Sequence, residues 1–75
     1  MTHRISIHLR RVDGALVRLL GLAERRGYPP VELSAEPAGQ KVHHVCMTVA
    51  ADHGIDPLIH QLNKLYDVQH IEVIS

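Results

Sequence analysis

Seven histidines and one cysteine are the side chains in this 75-residue sequence best suited to holding a metal or attacking a substrate. Neutral imidazole is the commonest metal ligand, so the histidines raise the question of a metal-handling domain first. Their spacing along the chain argues against it. His43 and His44 are adjacent in an extended segment and point to opposite faces, while His53 and His60 belong to a helix and its approach. There is no H-x-x-x-H and no C-x-x-C, so no metal site is assigned and the histidines read as solvated or partly packed. Cys46 would need a neighbouring base to become a nucleophile; His8 and His44 share its face, but a resting thiol accounts for it equally simply. Glu32, Glu36, Asp52, Asp56, Asp67 and Glu72 are dispersed over strand faces, caps and turns, where solvation or capping explains them. No acid–base pair is specified, and the catalytic residues are none.

One loop offers binding chemistry. In Arg11-Val12-Asp13-Gly14-Ala15-Leu16 a glycine stands where an extended segment gives way to a helix. Gly14 allows close approach to the backbone, and the free N–H groups of a helix start favour a carboxylate. The loop is therefore a candidate amino-acid pocket, although a glycine here also serves as a simple turn device.

The elements that must hold this loop follow from periodicity. From His3 to Arg11, Ile5, Ile7 and Leu9 alternate with Arg4, Ser6, His8 and Arg10, predicting a half-buried strand. Asp13 is the expected N-cap of the first helix, with Val12 and Val17 at staple spacing and Leu16, Leu19, Leu20 and Ala23 on the inner face. Arg25 and Arg26 suit the negative helix end, and Gly27 suits the position just past it. Pro29 and Pro30 stop the helix and mark Val31 to Glu36 as a strand at a sheet edge. Pro37-Ala38-Gly39-Gln40 is turn chemistry, and Lys41 to Ala50 resumes the alternation with His43, Val45, Met47 and Val49 on one side. Ile55, Leu58, Ile59, Leu62 and Leu65 mark a second helix, capped by Asp52 or Asp56, with Pro57 in its first turn. Val68 to Ile74 is the last strand. Tyr28 and Tyr66 fall at helix ends, where a ring packs and its hydroxyl stays wet.

Strand-helix-strand-strand-helix-strand order predicts an α+β, ferredoxin-like fold: one domain over residues 1–75, a four-stranded antiparallel sheet, and both helices on one face. The other face, with Ser6, His8, His44, Cys46 and Thr48, is left uncovered. At this length an isolated chain buries only roughly 60% of the surface its unfolded form exposes, so stability calls for a metal or a partner once a lone cysteine excludes an intramolecular disulfide. Eight Lys and Arg balance eight Asp and Glu, which removes the cationic excess that nucleic acid binding needs. With no Phe or Trp, the sheet lacks the aromatics on which RNA readers stack bases. The apolar run Ala15 to Ala23 is too short to cross a membrane and is broken by Arg18, so a cytoplasmic protein is expected.

Gly14-Ala15-Leu16, Gly21-Leu22, Arg26-Gly27-Tyr28 and Glu32-Leu33, read with Gln61-Leu62-Asn63-Lys64-Leu65-Tyr66-Asp67-Val68, resemble the ACT domain of acetolactate synthase small subunits. The resemblance covers nearly the whole chain and, with no second domain after the fourth strand, is to the isozyme II type. It implies a regulatory, non-catalytic partner of a large subunit that carries thiamine diphosphate, FAD and magnesium. It also implies a homodimer joined through the first helix and second strand, and a branched-chain amino-acid effector bound near Gly14. Relatives that respond to valine place an asparagine before the first helix and another after the R-G-Y motif, where this chain has Arg11 and Pro29. Two amide partners are thereby missing, so weak valine binding is expected. A stand-alone amino-acid sensor using the same loop is the alternative.

Overall fold

The computed structural model describes residues 1–75 as β1 (Thr2–Arg10), α1 (Ala15–Arg25), β2 (Pro30–Pro37), β3 (Val42–Ala50), α2 (Asp56–Leu62) and β4 (Val68–Val73). The sheet runs β2-β3-β1-β4 and is antiparallel throughout. This is the expected ferredoxin-like order, with β2 at one edge and β4 at the other.

Alternation decides which face of the sheet is dry. Ile5, Ile7 and Leu9 of β1 and Val45, Met47 and Val49 of β3 are buried with Ala15, Leu19 and Ala23 of α1 and Leu58 and Leu62 of α2. Both helices therefore cover one face. On the other, Ser6 pairs with Cys46 and His8 with His44, and all four stay partly accessible. The core has only 12 apolar residues, so deleting one large member such as Leu19 would cost about 2–5 kcal/mol.

Local details differ from expectation where short-range chemistry competes. Gly14, at φ +79°, occupies the N-cap of α1 in place of Asp13, and no side chain caps the helix. A left-handed residue at the strand-to-helix corner is accessible to glycine at little cost, and once the backbone turns there the Asp13 carboxylate does not cap. Val12 and Val17 consequently form no staple, and Val17 is 74% exposed. The other end matches its sequence: Gly27 has φ +85°, its N–H donates to Glu24 O, and the Tyr28 N–H donates to Ala23 O, which completes a Schellman closure. α2 begins after Ile55, with neither Asp52 nor Asp56 as its cap. The Asp52 carboxylate instead accepts from His53 Nδ1 at 3.0 Å, and this bond lowers its pKa.

Both tyrosines depart from the packed-ring, wet-hydroxyl reading. Tyr28 is buried entirely, and its hydroxyl donates to Gly54 O. Tyr66 is 78% exposed, with the Arg10 guanidinium 4.7 Å from its ring centre. The edge strand is barer than alternation suggests. Leu33 and Ala35 pair with Met47 and Val45 on the helix side of the sheet, yet both are exposed.

Candidate effector site at the β1–α1 loop

The loop is held at one end of β1. The Arg11 N–H donates to Lys41 O at 2.9 Å, the Val12 N–H to Arg10 O at 3.0 Å and the Ala15 N–H to Val12 O at 3.1 Å. The N–H groups of Asp13, Gly14, Leu16 and Val17 have no backbone acceptor. They border a cleft of about 390 Å³, lined by Arg11, Val12, Asp13, Gly14, Ala15 and Leu16 together with Ala35 of β2 and His43 of β3. Six of the seven residues singled out in the sequence therefore meet at one surface. Its chemistry is mixed: apolar side chains on the helix and sheet sides, the guanidiniums of Arg10 and Arg11, the His43 imidazole, the Asp13 carboxylate and several N–H groups without a backbone acceptor.

Pro29 is not among them. Its carbonyl accepts from the Ala50 N–H at 3.0 Å, which places it beside the start of β1, where Thr2 pairs with Ala50. Gly14 follows the opposite end of that nine-residue strand. Within one chain, Arg11 and Pro29 lie at opposite ends of the sheet.

A contact that the sequence did not reveal fixes the loop from behind. Arg18, one turn into α1, donates from Nε to Asp67 Oδ2 at 2.7 Å. Asp67 is 5% exposed and is the one charged side chain in the interior, not a solvated turn residue. Its backbone carbonyl accepts from the Arg10 N–H at 2.7 Å, and Arg10 Nε donates to Tyr66 O at 3.0 Å. The turn before β4 is thus tied to the end of β1 and to α1. The hydrogen bond to Asp67 raises the Arg18 pKa, against a smaller opposing effect of desolvation. A Cβ on Gly14 would come within 2.8 Å of Arg18 Nη1, so the glycine leaves room for the guanidinium as well as permitting the turn. The pairing spans 49 residues, which no local pattern encodes.

A family model for the ACT domain matches residues 11–71 of this chain. The chain belongs to the ACT domain family. This ACT domain is of the acetolactate synthase small-subunit type. It is 30% identical over 74 residues to the acetolactate synthase isozyme 2 small subunit of Escherichia coli K12, covering 97% of this chain and 85% of that protein. It is 36% identical over 76 residues to the chloroplastic acetolactate synthase small subunit 2 of Arabidopsis thaliana, covering 99% of this chain and 16% of that one. The ACT domain thus spans about a sixth of the plant relative. Among solved structures, the acetolactate synthase small subunit of Thermotoga maritima superposes with a TM-score of 0.87 at 19% identity, over 100% of this chain and 48% of that one. The ACT domain of a Chlorobium tepidum GTP pyrophosphokinase gives 0.81 at 13% identity, over 100% and 86%. At these identities the two structures establish the fold alone.

The sequence blocks that carry the family likeness correspond to physical contacts in this ACT domain. Arg26 Nη2 lies 3.4 Å from Gln61 Oε1, joining the R-G-Y block to the first residue of the second block. Asp67, near that block's other end, holds Arg18. No helix is long and apolar enough to cross a membrane.

Proposed function

We propose that this chain is the non-catalytic regulatory small subunit of an acetolactate synthase in branched-chain amino-acid biosynthesis. In this reading residues 1–75 act as one ACT domain that activates and stabilises a large catalytic subunit in the cytoplasm. The near end-to-end match to an isozyme 2 small subunit is the observation that supports it. Thiamine diphosphate, FAD and magnesium then belong to the large subunit. This chain contributes binding surface, not reacting groups.

The geometry supports a homodimer joined along β2. From Val31 to Pro37 every residue of this edge strand is exposed, including Leu33 and Ala35 on the helix side, and Val31 is 59% exposed. A second copy paired antiparallel along this edge would continue the sheet and cover those side chains. Antiparallel pairing also opposes the Pro30 end of one β2 to the Pro37 end of the other. Pro29 of one copy then approaches the Gly14 loop of its partner, so the effector site, split within one chain, is completed between two. The free N–H groups would receive the carboxylate of a branched-chain amino acid and the apolar wall its side chain. Pro29 supplies no N–H and no amide to that site, and Arg11 supplies a cation.

The test is co-expression with a candidate large subunit, followed by affinity capture and an acetolactate assay. The expected result is a stable complex whose activity exceeds that of the large subunit alone, with none from this chain by itself. Failure to co-purify together with unchanged activity overturns the proposal. The second reading, a stand-alone amino-acid-sensing module, draws on the 390 Å³ cleft. It requires amino-acid binding with no effect on any large subunit.

A further inference from the structure

The open face of the sheet carries a charge pattern set by strand register. Arg4 of β1, Thr48 of β3 and Glu32 of β2 stand in one row across three strands. Ser6, Cys46 and Ser34 form the next row, and His8, His44 and Glu36 the third. Both outer rows therefore hold a basic side chain on β1 and a carboxylate on β2, with β3 midway between them. Small side chains fill the middle row. Adjacent strands lie about 4.8 Å apart, so the Cα atoms of Arg4 and Glu32 are about 10 Å apart. Neither residue has an ion-pair partner within the chain. A hollow of about 270 Å³ lies between them, lined in part by Ser34, Cys46 and Thr48.

We propose that this face binds a second copy of the chain, sheet against sheet, about a two-fold axis that runs along β3. Such an axis exchanges the two sides of β3 and keeps position along the strand. It sets β1 of one copy over β2 of the other, so Arg4 meets Glu32 of the second copy and His8 meets its Glu36. Symmetry repeats each contact, giving four pairings of a basic with an acidic side chain. Thr48 and Cys46 face their own counterparts along the axis, where their short side chains let the layers approach the roughly 10 Å spacing of packed sheets. An axis along β1 has no such match. It would set β3 over β4, so that His44 met His70, and would leave Glu32 and Glu36 outside the contact.

The charges choose the partner and its register more than they drive binding, because exposed ion pairs add little affinity one by one. Aligned sheets cross at about 30°, and the long Arg4 and Glu32 side chains at the corners of the patch span the offset that this introduces. Both helices lie on the other side of the sheet, so nothing within the chain competes for the face. The contact is also separate from the β2 edge, whose Leu33 and Ala35 belong to the helix side. An edge-paired dimer keeps one open face per copy, so the two contacts together carry assembly beyond the dimer. For a core of 12 residues, a second layer supplies the partner surface that small domains need.

The test is sedimentation of the full chain carrying Leu33→Lys, which disables the β2 edge and isolates the face contact. The expected result is a monomer–dimer equilibrium with a dissociation constant on the order of 0.1–1 mM that weakens with added salt. In that background Arg4→Glu and Glu32→Arg should each weaken self-association about tenfold or more, since each reversal sets like charges together twice. Mixing the two variants in equal amounts should restore association, as a heterodimer in which every Arg4–Glu32 position again pairs opposite charges. Both positions are exposed, and circular dichroism confirms that each variant is folded. Cys46 gives a second readout on the unmodified chain. A short bis-maleimide should join two copies through it across the axis, whereas edge pairing alone holds the two cysteines about 14 Å or more apart. A Leu33→Lys chain that stays monomeric to about 1 mM, charge reversals without effect, no recovery on mixing, or no cross-link overturns the contact. None of these readouts depends on a large subunit or on an amino-acid effector.

Discussion

Arg18 Nε meets Asp67 Oδ2 at 2.7 Å, joining the first turn of α1 to the turn before β4, with the guanidinium half exposed and the carboxylate buried. The asymmetry predicts an order of effects. Arg18→Ala leaves a buried carboxylate without its partner, whereas Asp67→Asn leaves a guanidinium that water can reach and an amide oxygen that can still accept. Thermal denaturation should show Arg18→Ala melting roughly 5–10 °C below the parent and Asp67→Asn less far below. The reverse order would mean that Asp67 is not held as described.

The same pair fixes an alkaline pH response. Because the hydrogen bond to Asp67 raises the Arg18 pKa, its stabilising contribution is fully present below the unfolded value and fades only as pH rises through the higher folded value. The melting difference between the parent and Arg18→Ala should therefore be equal at pH 7 and pH 10. A difference that shrinks by half over that range would exclude the ion pair as its source.

Two glycines with similar backbone angles separate strain from crowding. At Gly27, φ +85°, an added Cβ would have nothing within 4 Å, while at Gly14, φ +79°, it would stand 2.8 Å from Arg18 Nη1. Gly27→Ala should cost about 1–2 kcal/mol by urea denaturation from the left-handed backbone alone. Gly14→Ala should cost more, because the guanidinium must also shift, and the excess should vanish in an Arg18→Ala background.

Tyr28→Phe removes the hydroxyl that donates to Gly54 O and leaves the ring in place. The expected loss is about 0.5–1.5 kcal/mol, with the approach to α2 becoming the region of fastest amide exchange. Unchanged stability would show that water replaces the hydroxyl without penalty.

The β2 edge gives the test for self-association. Leu33→Lys places a charge on the exposed helix-side face of β2, so sedimentation should show the proposed dimer dissociating at concentrations about tenfold or more above those of the parent. Calorimetry on the parent protein should detect valine binding about a hundredfold weaker than a site with two amide partners would give. Micromolar valine binding abolished by Gly14→Asp would show that Arg11 and Pro29 do not impair the pocket.

Periodicity in the sequence was sufficient for the element order, the two sheet faces, the edge position of β2 and the closing glycine of α1. These depend on neighbours a few residues apart: alternation at Ile5, Ile7 and Leu9, helical recurrence at Leu19 and Ala23, and two prolines before Val31. The β1–α1 loop was legible for the same reason, since a glycine between strand and helix is a local signal. The cap of α1 was not, because Asp13 and Gly14 are both competent there, and the choice follows from the corner angle, not from residue preference. What lies between distant segments was out of reach of any local pattern. The burial of Asp67 against Arg18, the separation of Pro29 from Gly14, and the direct opposition of His8 to His44 across β1 and β3 are settled by the folded chain, whose antiparallel register brings together residues such as Ser6 and His44, 38 positions apart. Register is set by how the whole apolar face closes over the core, and that is a property of the folded chain.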